Sequence, residues 1–273
     1  MKRLAKLLVI SALSTAGCTV FCAAISAQSA DKQDGGATHV AMRDGGVNEV
    51  LQSIYIPPLL NAPFAATVHT EWTRPMMGGG TYMVVNKRQV ARDNHGRIYE
   101  QRVMLAPRSS ETESDANLYL IQIADPNAHT LYNCYLKQTP HRCYLQNYSE
   151  TPEMVYKPAI GTTGPLPNNA GIRTHEDLGT RTIEGIETRG TRDTSNMNAG
   201  VMGNDQPFTS HREFWYAATL GINLYSELVS PNVGKQAFTL SDIGLAEPDS
   251  RLFELPEGFT VVDERKPRVE HPE

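Results

Sequence analysis

The sequence predicts a mainly β fold: a large curved antiparallel sheet, or an open, unclosed β-barrel, with few short helices. Three observations carry that reading. Nearly every segment from Phe64 onward is rich in strand formers. Glycine and Asn/Asp clusters separate these segments in the way hairpin turns do. Several segments also alternate apolar and polar residues, as strands with one buried face do. Ile222, Leu224 and Leu228 fall on one face with Asn223 and Glu227 on the other, Tyr119, Ile121 and Ile123 share a face, and so do Tyr99, Val103 and Leu105.

The chain opens on Lys2, Arg3 and Lys6, followed by a mostly apolar Leu7–Ala24 stretch and the polar "QSADKQDGG". This is the three-part pattern of an export signal. Ser11, Ser14, Thr15 and Thr19 interrupt the apolar part and weaken it as a spanning helix. Cleavage is expected after Ala27, with Ser26 as the neighbouring alternative. "TAGC" ending at Cys18 resembles a lipoprotein cleavage site, but Thr15 stands where a larger aliphatic residue is usual. The expected layout is a signal peptide over 1–27, a disordered lead over 28–44, one β-rich domain over 45–262 and a polar tail over 263–273. The location expected is periplasmic or secreted, with no membrane anchor after cleavage.

Removing residues 1–27 takes three of the 25 basic side chains and none of the 30 acidic ones, which leaves 22 against 30 and a net charge of −8. Nucleic acid and anionic membrane surfaces attract basic patches, so neither is an expected partner. "DERKPR" near the C-terminus is a mixed, proline-broken run and reads as solvated.

The helix candidate lies early, in "GGVNEVLQSIYIPPLL", where Val47, Leu51, Ile54 and Tyr55 recur at helical spacing until Pro57 and Pro58 stop it. Strands follow in order: "FAATVHTEW", the turn "MGGG", "TYMVVNKRQVAR", "DNHG" and "RIYEQRVML". Next come two strands around Asp125-Pro126, then "RCYLQNYS". After a long break come "TRTIEG", "IETRGTRDT", "HREFWYA", "INLYSELVS" and "KQAFTLSDIG". That makes about eleven strands. One short helix does not cover so many, which is why a curved or partly closed sheet is expected rather than a flat one.

Two irregular stretches break the series. Residues 150–174 hold four prolines and three glycines without a clear period, and 195–207 is "SNMNAGVMGNDQP". Loops this long in a compact domain are usually functional or mobile.

Cys134 and Cys143 remain after export. Placing them opposite each other in a hairpin gives pairs 135/142, 136/141 and 137/140, with a two-residue loop at Gln138–Thr139. Such positions bring cysteines within disulfide range. The short loop makes the bond worth about 2–3 kcal/mol in the chain-entropy account. Spacing of this kind matches neither a redox CxxC nor a zinc knuckle.

No GxSxG elbow, HExxH, phosphate-binding glycine loop or EF-hand occurs in the sequence, so no catalytic residue, metal ligand or cofactor is assigned. "HEDLG" at 175–179 invites an acid–base or metal reading. Neighbouring strand residues point to opposite faces, however, so only His175 and Asp177 converge. His129 and His141 supply two possible ligands across the 118–149 sheet, fewer than a zinc site needs. Six of the eleven tyrosines (119, 132, 135, 144, 148 and 156) lie within 38 residues, where their rings and hydroxyls suit either a binding surface or ordinary sheet packing. The ligand-lining candidates are Trp215, Tyr216, Ile222, Leu224, Leu228 and Trp72. Trp215 stands opposite Phe214 and Tyr216 on its strand, which suggests burial on both sides.

"TIEGIETRGTRDT", "EFWYAATLGINLYSELVS" and "GKQAFTLSDIGLAEPDSRLFELPEGF" together have a rhythm that resembles the C-terminal half of LolA-like exported proteins. That group includes lipoprotein carriers and the RseB-like periplasmic stress sensors. "NAPF", "ARDNHGRIY", "IADPNAHTLYNC", "EDLGTRTIEGIETRGTRDT" and "GNDQP" resemble a set of uncharacterised exported bacterial proteins over nearly the whole mature chain. The LolA-like resemblance implies an open antiparallel barrel around an apolar cavity, closed by helices of which this chain has few candidates. The broad one-sided alternation, with no catalytic motif beside it, favours a non-enzymatic exported binding protein for a hydrophobic ligand (a lipid or lipoprotein) or an envelope protein partner. The alternatives from the residues are a hydrolase-type enzyme around His175, Asp177 or His211, and a purely structural envelope protein.

Overall fold

The computed structural model describes residues 54–110, 117–148 and 162–265. The export segment, the lead, most of the helix candidate, Cys18 and residues 149–161 of the long loop lie outside the described residues. Ile54 and Tyr55, the end of the helix candidate, are non-helical.

Among the described residues fourteen strands form one sheet. They are β1 (Phe64–Pro75), β2 (Thr81–Arg92), β3 (Ile98–Val103), β4 (Ala106–Pro107), β5 (Leu118–Asp125), β6 (Thr130–Tyr135), β7 (Arg142–Asn147), β8 (Gly164–Pro165), β9 (Gly171–Ile183), β10 (Ile186–Met197), β11 (Phe208–Ala217), β12 (Ile222–Ser230), β13 (Gly234–Gly244) and β14 (Thr260–Asp263). The order across the sheet is β14-β7-β6-β5-β3-β2-β1-β13-β12-β11-β10-β9-β8, with β4 attached to β2. The two ends do not pair, so the sheet is open. Two antiparallel meanders thus run outward from the centre, where β1 pairs with β13.

The strands exceed the expected eleven by β4, β8 and β14. β14 runs parallel to β7, the one departure from an antiparallel sheet. It arises because residues 245–259 leave the centre and cross to the far edge, so β14 arrives with the same direction as β7. Apart from Asn117, helical structure among the described residues is confined to 3₁₀ turns, of which Ser250–Phe253 is the longest. Its Phe253 packs on Ala91, Tyr99 and Ile123, so the crossing segment covers one face of the β2–β3–β5 wing.

Cross-strand partners share a face. One face, called here the Arg92 face, carries Phe64, Val68, Val90, Arg92, Phe238 and Leu240, all buried. The opposite, Tyr99 face carries Ala91, Tyr99, Ile123, Cys134 and Cys143 in the first wing, and Glu213, Trp215, Tyr225 and Glu227 in the second.

The Cys134–Cys143 disulfide forms in the predicted register, with Tyr135 opposite Arg142. The closing loop is longer than predicted: β6 stops at Tyr135 and β7 begins at Arg142. Pro140 has no N–H to give residue 137, and Leu136 turns instead to the Tyr119 carbonyl. The irregular stretches are shorter than expected. β9 already begins at Gly171, where a Cβ would meet the Asn196 carbonyl at 1.9 Å, and β10 extends to Met197.

Candidate functional site

A concavity of the second wing lies on the Arg92 face, where β9–β12 meet their connecting loops. It is an open groove of about 400 Å³. Period-2 strands place Arg173, Ser195, Met197, Phe208, Ser210, Arg212, Leu228 and Ser230 on this one face. Leu166, Ala170 and Met202 from the two irregular stretches, and Val233 from the β12–β13 turn, complete the wall. Its lining therefore combines apolar side chains, Met197 and Met202 among them, with Ser195, Ser210, Ser230 and Asn232, and it carries two exposed arginines. Flexible thioethers adapt to irregular apolar shapes, while guanidinium groups suit carboxylates and phosphates.

Of the six predicted lining residues, only Leu228 lines this groove. Trp72 is on the same face, one strand beyond Gln236, and donates its indole N–H to the Val233 carbonyl at 2.8 Å. Ile222 and Leu224 are buried in the core. The predicted alternation breaks at Leu224, because Trp215 pairs with Tyr225 and Tyr216 with Asn223, which leaves Leu224 in a bulge. Residues 222, 223 and 224 are consequently all buried. Tyr216 lies close enough to Arg92 to favour its charged guanidinium.

Trp215 stands on the other face. Its ring lies over Gly190, where a Cβ would sit 2.7 Å from it, and Arg181 covers it at 3.8 Å. Its Nε1 donates to Glu213 at 2.6 Å. Glu213 also accepts two bonds from Arg192, and the directly opposite Glu227 accepts from Tyr225 and pairs with Lys235 at 2.7 Å and His211 at 3.5 Å. Burial works to raise the Glu213 carboxyl, but the Trp215 and Arg192 donors outweigh it and hold it below its ordinary range. Burial likewise opposes, and Lys235 and Tyr225 outweigh it, at Glu227. A depressed carboxylate contributes stability above the unfolded value of about 4.3 and loses it as pH falls through the folded one. Unfolding free energy should therefore be level near neutrality and decline below about pH 4.3. Glu213→Gln and Glu227→Gln should each flatten that acid limb in urea titrations. An unchanged limb in both would show that the network does not couple to folding.

The histidines disperse. His175 hydrogen-bonds Asp193 at 2.6 Å and Asp177 pairs with Arg189, both on the Arg92 face, whereas His211 pairs with Glu227 on the Tyr99 face. His175 and Asp177 thus share a face but are held by separate partners, and His211 lies on the other side of the sheet, so the three named for a hydrolase do not meet in one cleft. His129 and His141 precede β6 and β7 at opposite ends of one hairpin, and His141 stacks on Phe259 at 4.9 Å. Asp93, His95 and Glu247 do bring donor atoms within 4.8 Å of one another. The Asp93 carboxylate is already occupied there, accepting from the His95 and Arg97 main chain and from Arg97 Nε at 2.6 Å.

The sequence pointed to the groove indirectly. Its methionines and Leu166 sit in the two irregular stretches flagged as functional, but nothing periodic marked them as lining one site.

No family model matches the sequence, and no curated relative matches it either. Among solved structures, the chain is similar to one in the Pseudomonas aeruginosa MucA/MucB complex at 12% identity and a TM-score of 0.37. That match covers 73% of this chain and 58% of the other, so the chain spans little over half the length of that protein. It is similar to the Mycobacterium tuberculosis lipoprotein LppX at 12% identity and a TM-score of 0.29, over 69% of this chain and 89% of that one. LprF from Mycobacterium bovis gives 11% identity and a TM-score of 0.24, over 68% and 88%. Similarity at this level carries no ligand, partner or activity to this chain.

Proposed function

We propose that this chain is a non-enzymatic, exported binding protein whose groove on the Arg92 face takes a lipid-like ligand, an apolar chain with an anionic head. The groove carries the reading. Met197, Met202, Phe208, Leu228 and Val233 offer apolar surface, and Arg173 and Arg212 are exposed beside it. Its volume falls within the range of about 300–1,000 Å³ common for small-molecule sites. These two arginines are positive although the chain as a whole is negative, so an anionic head is drawn to this place rather than to the general surface.

Native mass spectrometry of protein purified from an oxidising compartment, followed by solvent extraction, tests the reading directly. The expected result is an apolar anionic adduct and saturable binding of oleate to the stripped protein. Arg173 and Met202 are both exposed, so Arg173→Glu and Met202→Glu should fold normally. Each should weaken oleate binding about tenfold, the loss of roughly one charged hydrogen bond or a comparable buried apolar contact. A clean apo mass with no saturable oleate binding sinks the lipid reading and redirects the search to an envelope protein partner.

A further inference from the structure

The tyrosine-rich hairpins of the first wing carry a second surface, remote from the groove and different in chemistry. On the Arg92 face a single row of polar side chains crosses the sheet, strand by strand. Glu100 pairs with Arg102 at 2.8 Å, and Arg102 Nε donates to Gln122. Gln122 Nε2 donates to Asn133 at 2.7 Å, Asn133 Nδ2 to Gln146 at 3.1 Å, and Gln146 Nε2 to Glu264 at 3.2 Å. A primary amide has two donor hydrogens and two acceptor lone pairs. The row uses one of each at Gln122, Asn133 and Gln146. Every amide therefore keeps one N–H and one lone pair, repeated at the interstrand spacing of about 4.8 Å.

The outer end of the row opens into a depression of about 360 Å³ lined by Asn133, Tyr135, Gln138, Tyr144, Gln146 and Glu264. Tyr135 and Tyr144 meet edge to face at 5.7 Å, and Tyr135 is exposed. The strands that present these groups are stapled from behind. Cys134 lies between Asn133 and Tyr135, Cys143 precedes Tyr144, and the disulfide sits fully buried on the opposite face. A site held on paired strands and backed by a covalent link is pre-organised.

We infer that this amide-and-tyrosine depression binds a neutral saccharide. A hydrocarbon would strand the remaining amide donors and acceptors out of water, at a cost that only hydrogen-bonding ligands avoid. A polyanion would meet Glu264. A sugar ring offers a hydroxyl, both donor and acceptor, on successive carbons to match the amide comb. Its C–H face also packs against an exposed tyrosine ring, as apolar surface does. Glu264 accepts hydroxyl protons at the end of the row.

Saturation-transfer NMR on the oxidised full chain tests this, with the tetrasaccharides of N-acetylglucosamine, glucose in β-1,4 linkage and glucose in α-1,4 linkage, and with tetra-alanine as a peptide comparison. Transfer to the ring C–H protons of at least one sugar is expected. Tyr135→Ala and Gln146→Ala replace exposed side chains and should leave thermal unfolding unchanged. Each should weaken sugar binding at least about fivefold, as the loss of one neutral hydrogen bond or an equivalent contact would. Arg173→Glu, in the lipid groove, should leave it unaltered, which separates this site's failure from that of the groove. The inference is overturned by no transfer to any sugar, by binding indifferent to both tyrosine and glutamine replacements, or by a preference for tetra-alanine.

Discussion

Arg92→Met is expected to destabilise the protein by about 3–5 kcal/mol, because it leaves buried carbonyls without donors, at about 1–3 kcal/mol each. Arg92 is fully buried at the end of β2. Its Nε and Nη2 donate to Ala62 at 2.9 and 2.7 Å, Nη1 to Pro57 at 2.7 Å, and Nη2 also to Leu220 at 2.8 Å. Those four bonds all end on main-chain carbonyls. They join the segment leading into β1, the end of β2 and the β11–β12 turn, so one side chain fastens both wings of the sheet. Burial lowers the guanidinium to about 10, still well above neutrality, and Tyr216 nearby works the other way. The group therefore stays charged, held by carbonyl dipoles and by the Phe64 ring face at 5.2 Å. Arg92→Lys keeps the charge but not the planar fork, and one ammonium cannot serve three separated carbonyls. It should recover less than half of the loss. Urea unfolding with the disulfide intact measures both. An Arg92→Met protein within about 1 kcal/mol of the parent, the net worth of a single hydrogen bond, would show that the three segments do not depend on this clasp.

Local features of this fold were readable in the sequence, and non-local ones were not. β2 and β12 appear at their predicted limits because β-rich composition and the glycine turns beside them act over a few residues. The Cys134–Cys143 register follows from the same short-range arithmetic. By contrast, the pairing of β1 with β13 joins residues about 170 positions apart, and β14 reaches β7 only after crossing a whole wing. No window of sequence holds either fact. The site suffered twice. Parity counting along β12 presumes an unbroken ladder, and the bulge at Leu224 removes that premise. The groove walls come from residues such as Met202 and Leu166, whose placement depends on loops rather than on period. Arg92, the most connected side chain, carried no sequence signal beyond being a basic residue at the end of an apolar strand.

Trp215→Ala is expected to cost about 3–5 kcal/mol, the range for truncating a buried aromatic ring. The reason lies in its neighbours. Gly190 leaves room for the indole to lie flat on the sheet, and any Cβ there would meet the ring at 2.7–2.8 Å. Arg181 closes the other side of the ring, and Glu213 takes its N–H. Alanine would open a void between Gly190 and Arg181 and also remove one donor from a partly buried carboxylate. Trp215→Phe keeps most of the ring and removes the donor, so its smaller loss, about 1–2 kcal/mol, isolates the hydrogen bond to a charged acceptor. Gly190→Ala attacks the same contact from beneath. Combined with Trp215→Ala it should cost less than the two separate losses added, because the methyl group enters space the indole has left. Ligand binding provides the independent readout. Trp215 projects from the face opposite Leu228 and Arg173, so oleate binding per folded molecule should stay within about twofold of the parent, well under one hydrogen bond's worth. Stability retained with binding lost would reverse the assignment, making Trp215 part of a ligand site and not the packing of the second wing.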